Sequence, residues 1–333
     1  MHDWLQQVWY GAGRGGLALV PLSWVYRALV AIRRNLFRMG VMAVTRVACP
    51  VIIVGNVTVG GTGKTPLVLW LTERLRERGL RVGVASRGYG GRLGSELRVV
   101  ERTDAAGLVG DEPLLMSRRD NALIAVCRER SKAAQRLVDE GADIVICDDG
   151  LQHYGLHRDM EIAVIDGERR LGNGRMLPAG PLRETATRLQ SVNWVICHGG
   201  SAESGEIGMR LVGDKLTSPD GRMTARIDDF SGRRCHAVAA IGNPDRFFDT
   251  LRKAGIHVIP HPLPDHSDIE AALEAITDDD PILMTEKDAV KCSASDRDNL
   301  WYLPVEAELD SSAEALIEAA VGLSAERGRG RES

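Results

Sequence analysis

The stretch Thr58-Val59-Gly60-Gly61-Thr62-Gly63-Lys64-Thr65 lies between a short apolar run ending at Val54 and a segment of helical periodicity. Strand, glycine-rich loop and helix form the context that a phosphate-binding loop requires. Glycines let backbone N–H groups close around phosphate oxygens with no Cβ in the way, and the helix N-terminus adds the favourable end of its dipole. Lys64 would reach the β and γ phosphates of a nucleoside triphosphate and take part in catalysis, and the Thr65 hydroxyl would meet magnesium. The generic pattern begins with glycine six residues before the lysine. Here that position is Thr58, and Gly60 and Gly61 supply glycine further along. Gly11-Ala12-Gly13-Arg14-Gly15-Gly16 also spells GxGxxG, but no strand precedes it, which argues against a dinucleotide site.

Four other groups carry candidate chemistry. Asp148 and Asp149 end an apolar run and lead into Gly150-Leu151-Gln152-His153. An acid at the carboxyl end of a buried strand stands where parallel α/β sheets place ligands and where P-loop enzymes hold magnesium. Successive strand residues face opposite ways, so one carboxylate would meet the metal and the other a neighbour. Asp111, in Gly110-Asp111-Glu112-Pro113, could accept a proton from an attacking hydroxyl or simply cap the helix it precedes. Residues 178–184 form a proline-rich loop ending in Arg183-Glu184, which suits either a phosphate and metal site or a surface ion pair. His266, in Pro264-Asp265-His266-Ser267, is a further candidate, although a lone histidine is more often structural.

Elements that would position these residues alternate along the chain. Residues 50–54, 81–85, 122–127, 142–147, 160–165 and 192–197 read as buried strands separated by helical patterns. Apolarity on both faces with helices between predicts a doubly wound parallel sheet. Leu67, Leu71 and Leu75 mark the buried face of the helix after the glycine loop, with Gly79 as its stop. Residues 208–227 read as a hairpin about Pro219-Asp220-Gly221. A second α/β series follows, with strands at 236–241, 256–260 and 281–285 and helices at 245–253, 268–276 and 311–321. The expected organisation is an N-terminal interfacial segment over 1–40, a P-loop NTPase-like domain over 41–205 and a hairpin linker over 206–230. A smaller α/β domain over 231–323 and a disordered tail over 324–333 complete it.

With a net charge of −4 and 26% charged residues, the chain has the balance of an ordinary enzyme and argues against a nucleic-acid binder. Its 6 cysteines form no CxxC pair and read as buried thiols of a reducing compartment. The first 50 residues differ. They carry Arg14, Arg27, Arg33, Arg34, Arg38 and Arg46 against the single acid Asp3, along with Trp4, Trp9, Tyr10, Trp24 and Tyr26. The uncharged run between Arg14 and Arg27 is interrupted by Pro21 and is shorter than the roughly 20 residues that span a bilayer, so a transmembrane helix is not expected. Leu22, Val25, Leu29 and Ile32 recur at helical spacing with arginines at the flank. That pattern suits a helix lying in the headgroup layer, or one packed on its own domain.

Taken together, the motifs resemble the tetraacyldisaccharide 4′-kinase family of lipid A synthesis. The resemblance rests on residues 54–66, Ser86-Arg87-Gly88-Tyr89-Gly90, residues 110–113, 148–153, 178–184, 264–266 and 285–291, in that order. Thr58 in place of glycine is also typical of that family. Ser267 departs from it, standing where a second histidine is common, with His261 nearby. The resemblance implies ATP and Mg²⁺ as cofactors. It further implies transfer of the γ-phosphate to the 4′-hydroxyl of an acylated glucosamine disaccharide 1-phosphate, making lipid IVA at the cytoplasmic face of the inner membrane. It makes Asp111 a base paired with His266, and Arg87, Tyr89, Arg130 and Arg183 contacts to the lipid or to phosphate. Asp148, Asp149, Gln152 and Glu184 become metal or phosphate ligands beside Thr65. A lipid acceptor also gives the N-terminal segment a purpose, since drawing acyl chains into water is prohibitive at about 0.8 kcal/mol per CH₂. The oligomeric state is open, with a monomer expected. The competing reading is a P-loop GTPase-like switch or metallochaperone, but no Asn-Lys-x-Asp guanine-reading motif is present and Glu286-Lys287-Asp288 only echoes it. A nucleotide-binding scaffold without catalysis is a third.

Overall fold

The structure is a computed structural model and describes residues 2–11, 14–119, 122–292 and 297–329. The N-terminal segment is two helices, α1 (His2–Tyr10) and α2 (Val20–Arg38), joined through a 3₁₀ turn at Arg14–Leu19. Then follow β1 (Val51–Gly55), α3 (Lys64–Glu77), β2 (Val82–Ser86), β3 (Arg98–Val99), α4 (Ala106–Val109), α5 (Asp111–Arg119) and β4 (Leu123–Val126). Next come α6 (Arg130–Asp139), β5 (Ile144–Cys147), β6 (Met160–Asp166), β7 (Trp194–His198) and β8 (Glu206–Val212). These strands form a sheet in the order β8-β7-β6-β1-β5-β2-β4-β3, parallel except at the β3 edge. The chain winds one way from β1 to β4 and the other way from β6 to β8. The crevice beside the end of β1 is therefore the switch point where such sheets bind ligands. One face of the sheet buries Leu67, Leu71 and Leu75 of α3, and the other buries Ala133, Ala134 and Leu137 of α6.

The second lobe holds β9 (Lys215–Thr217), β10 (Thr224–Arg226), β11 (Arg234–Ala239), α7 (Pro244–Lys253), β12 (His257–Pro262) and α8 (Glu270–Glu274). It continues with β13 (Ile282–Thr285), α9 (Glu286–Ala289) and β14 (Leu300–Leu303), giving a sheet ordered β10-β9-β14-β13-β11-β12. The expected hairpin is the short β9–β10 pair alone. Residues 206–212 instead extend the first sheet beside β7, because their alternating burial seats Ile207 and Met209 in its core.

Two further expectations are corrected at the C-terminus. The boundary at residue 323 does not close the second lobe: β15 (Glu306–Leu309) pairs antiparallel with β8 of the first sheet, and α10 (Ala313–Arg329) packs against α3. The tail expected to be disordered from 324 is helical to Arg329, and residues 330–333 lie outside the described residues. Charge made it look solvated, but Arg327 donates to the Val47 and Cys49 carbonyls and pairs with Asp159 at 2.5 Å.

α2 docks by one face. The Ser23 hydroxyl donates to the Met176 carbonyl at 2.9 Å, and the Tyr26 hydroxyl donates to the Arg183 carbonyl at 3.2 Å. A neighbouring stripe of Leu22, Val25, Leu29 and Ile32 is exposed, with Trp24, Met39, Val41 and Val44 exposed as well. The segment Gly16–Arg38, 23 residues, is long and apolar enough by length and composition to cross a membrane, in contrast to the expectation. Arg27 interrupts the run without ending the helix.

Truncation after residue 323, neutral for a disordered tail, should instead destabilise the first lobe. Arg327→Met is expected to cost about 1–3 kcal/mol in denaturant unfolding, because the charged donor to two carbonyls is lost.

Candidate active site

The phosphate loop is held from below and from the side. β1 ends at Gly55, and α3 begins at Lys64 with Gly63 as its N-cap at φ +87°. A Cβ on Gly63 would also lie 2.6 Å from Nδ1 of His198, so this position requires glycine twice over. Val59 N–H donates to the Pro181 carbonyl (2.8 Å) and Arg183 N–H to the Val57 carbonyl (2.7 Å), while Thr58 bridges Leu182. Residues 178–184 are thus a brace for the loop as well as the source of Arg183 and Glu184. His198 is buried behind it with Nδ1 3.0 Å from the Thr62 carbonyl, and burial and Arg246 push its pKa down to about 4. Arg246, from α7, also pairs with Asp166 at the end of β6 and so ties the second lobe to the loop's back wall. Gly242 packs directly on Gly61.

The two aspartates after β5 have opposite surroundings. Asp149, in the left-handed region at φ +48°, lies 3.4 Å from Nζ of Lys64 and 3.2 Å from the Arg183 guanidinium. Burial opposes its ionisation, but Lys64, Arg183 and Arg130 outweigh it and hold the carboxyl well below its ordinary range. Asp148 is buried, and its Oδ1 has no hydrogen-bond partner among the described residues. Burial, then Glu112 and Asp149, raise its pKa. A buried carboxylate oxygen with no hydrogen-bond donor suits a cation. A magnesium ion there fits this donor better than it fits the rest of the expected set. Asp149 is already paired. Gln152 donates its amide to the Asn56 carbonyl (2.9 Å), and Glu184 accepts from the Tyr154 hydroxyl (2.6 Å). Thr65 sits half-buried at the start of α3.

Arg130 is not at the surface where a lipid contact would need it. It is buried and donates to the carbonyls of Asp148 (3.2 Å) and Asp149 (2.8 Å), fixing the turn that aims both acids. Arg87 and Tyr89, by contrast, are exposed in the loop after β2, and the Tyr89 ring stands 4.7 Å from the His266 ring.

Asp111 and His266 meet across the lobes. His266, held at φ +62° after β12, donates Nδ1–H to Oδ2 of Asp111 at 2.9 Å. A left-handed histidine is strained, and its retention beside a buried carboxylate marks a constrained site. Asp111 also accepts from Glu112 N–H, so capping and a chemical role coexist. Burial would raise the Asp111 pKa. The His266 hydrogen bond and the charges of Lys287, His266 and Lys291 prevail and lower it. Lys287 and Lys291 were absent from the candidate residues, although the stretch 285–291 that carries them stood out in the sequence. Tyr154, His198 and Arg246 carried no signal of their own.

Fold and site define a P-loop nucleotide-binding phosphotransferase with a second α/β lobe closing over the loop. Residues 16–322 match the family described as LpxK, tetraacyldisaccharide-1-P 4′-kinase, and the chain belongs to that family. It is 45% identical over 312 residues to the tetraacyldisaccharide 4′-kinase of Methylobacillus flagellatus, covering 92% of each chain. It is 46% identical over 319 residues to that of Hahella chejuensis, covering 94% of each. The crystal structure of LpxK from Aquifex aeolicus in complex with ATP superposes with a TM-score of 0.76 at 27% identity, covering 92% of this chain and 99% of that one.

Arg130→Met should lower the affinity for a fluorescent ATP analogue about tenfold, as loss of an outer-shell support does. Arg87→Met should leave that affinity unchanged. Equal effects in the titration would return Arg130 to the surface role.

Proposed function

We propose that this chain transfers the γ-phosphate of ATP to the 4′-hydroxyl of tetraacyldisaccharide 1-phosphate, giving lipid IVA, at the cytoplasmic face of the inner membrane. The observation that carries this reading is the Asp111–His266 pair, its carboxylate buried, that spans the lobes. Glu112, next to Asp111, is close enough to act on Asp148, so pair and loop share one cleft.

Asp111 is the base. Its lowered pKa keeps it ionised at neutral pH, and it accepts the 4′-hydroxyl proton as the oxygen attacks the γ-phosphorus. The O–P bond forms, the bond to the bridging β–γ oxygen breaks, ADP leaves, and the proton stays on the carboxyl. His266 orients the carboxylate. Lys64 and Arg183 meet charge on the transferring phosphoryl group, a role supported by their shared contact with Asp149. Asp148 and Thr65 would hold Mg²⁺, with Gln152 and Glu184 behind them. Bound there, the ion supplies charge neutralisation of the phosphates. Arg87 and Tyr89 offer exposed groups to the disaccharide or its 1-phosphate, the former through bidentate hydrogen bonds.

The exposed stripe on α2 supports work at a membrane surface, since an apolar patch of that extent marks an interaction site. α2 also rests on the site itself, through Tyr26 to the Arg183 carbonyl and through Phe37 against Tyr154, the partner of Glu184.

Incubation with labelled ATP, Mg²⁺ and the acylated disaccharide 1-phosphate in detergent should label the lipid. Hydrolysis without lipid label would favour a nucleotide switch. Asp111→Ala and His266→Ala should each lose most turnover, and the double variant little more than either, as expected of groups acting as a unit. Replacing Leu22, Val25, Leu29 and Ile32 together by serine should release the protein from phospholipid vesicles in flotation. Undiminished binding would place the membrane contact elsewhere.

A further inference from the structure

The second lobe delivers more than a histidine to Asp111. Thr285 caps α9, and its hydroxyl donates to Oδ2 of Asp288 at 2.6 Å. Asp288 is fully buried, accepts from Ala240 N–H at 3.0 Å, and pairs with Lys291 at 2.9 Å. Ala240 in turn accepts from His266 N–H. One buried carboxylate therefore fixes both the backbone that carries His266 and the lysine beside it. Lys291 Nζ lies 3.6 Å from Oδ2 of Asp111.

Lys287, on the same short helix, stands between the lobes. Its ammonium donates to Oε1 of Glu112 in the first lobe (2.9 Å) and to Oδ1 of Asp265 in the second (3.3 Å). It also lies 3.5 Å from Nε2 of His266 and 3.9 Å from Asp111. Burial would favour loss of its proton, but Glu112, Asp111 and Asp265 more than reverse this. The Asp265 carboxylate also approaches Nε2, at 3.7 Å, but the Lys287 ammonium is nearer, has no acceptor and so can only donate to it. That leaves the ring hydrogen on Nδ1, facing Asp111. The charged and titratable groups around Asp111 are thus Glu112 and Tyr89 from the first lobe and Asp265, His266, Lys287 and Lys291 from the second.

We propose that Lys287 and Lys291 are positioning residues for phosphoryl transfer: they bind the second lobe to the first and hold the Asp111–His266 pair in the tautomer and charge state its reaction uses. This rests on Asp111 being the base. A neutral tether would need Lys287 only to reach Glu112. The placement of Nζ at Nε2 of His266, with a second lysine at Asp111, is the feature a tether does not require.

The test uses the full-length protein with labelled ATP and the lipid acceptor in detergent, across pH. Lys287→Met should lower kcat about tenfold or more with the KM for ATP unchanged, and move the acid limb of kcat/KM upward by about one pH unit. The direction follows because removing a cation beside a carboxylate makes it a stronger proton holder, so activity is lost at higher pH as the solution is acidified. Lys287→Arg, which keeps the charge, should restore part of the rate. Lys291→Met should shift the acid limb the same way, and serves if Lys287→Met does not fold. Native kcat and acid limb in both methionine variants, with Asp111→Ala inactive, would overturn the role of the lysines alone. Turnover surviving in Asp111→Ala would overturn the assignment of the base, and the lysines' role with it.

Discussion

A buried carboxylate must be compensated or neutralised, and Asp111 is compensated almost wholly from across the lobe boundary. His266, Lys287 and Lys291 all belong to the second lobe, while Asp111 opens a helix of the first. Opening the lobes would strand that charge, an arrangement costly when one partner of a buried pair is removed. The two lobes thus share an electrostatic reason to close, reinforced by Arg119 to Glu286 and by Arg246 to Asp166. On the proposed reading, closure and assembly of the base become one event.

The other half of the cleft is arranged the opposite way. Asp149 is saturated with cations, whereas Asp148 keeps a buried oxygen without a hydrogen-bond partner among the described residues. Carboxylates whose surroundings push their proton affinities apart take different roles. On the proposed reading one orders Lys64 and Arg183, one is left for a metal ion, and Asp111 is kept ionised to take a proton. α2 touches this same region through Tyr26 and Phe37, so the helix with the exposed apolar stripe and the phosphate end of the cleft are in direct contact.

Much of this was legible in the sequence, for identifiable reasons. The strand, loop and helix around Lys64 carry local signals, namely glycine where φ is positive and leucines every four residues on a buried face, and all three leucines are fully buried. The exposed stripe of α2 was equally a matter of period. Return of the chain was not legible: nothing local in residues 306–309 says that they pair with β8 after the intervening lobe. The helical tail reads as solvated charge until Arg327 meets carbonyls from residues 47 and 49. Arg130 misled for a related reason, since an arginine that binds backbone carbonyls from within looks the same in sequence as one that binds phosphate from outside. Lys287 and Lys291 were visible as part of a stretch but not as a site, because their partners lie on another lobe.

The central claim is that the opposite lobe sets the charge of Asp111. Carbon-13 NMR of aspartate carboxyl groups, with Asp111 assigned by its absence in Asp111→Asn, measures this directly. The native protein should show Asp111 titrating below the ordinary aspartate value of about 3.9, and removal of His266 should move it upward. Titration at or above the ordinary value in the native protein, or no movement without His266, would contradict the account.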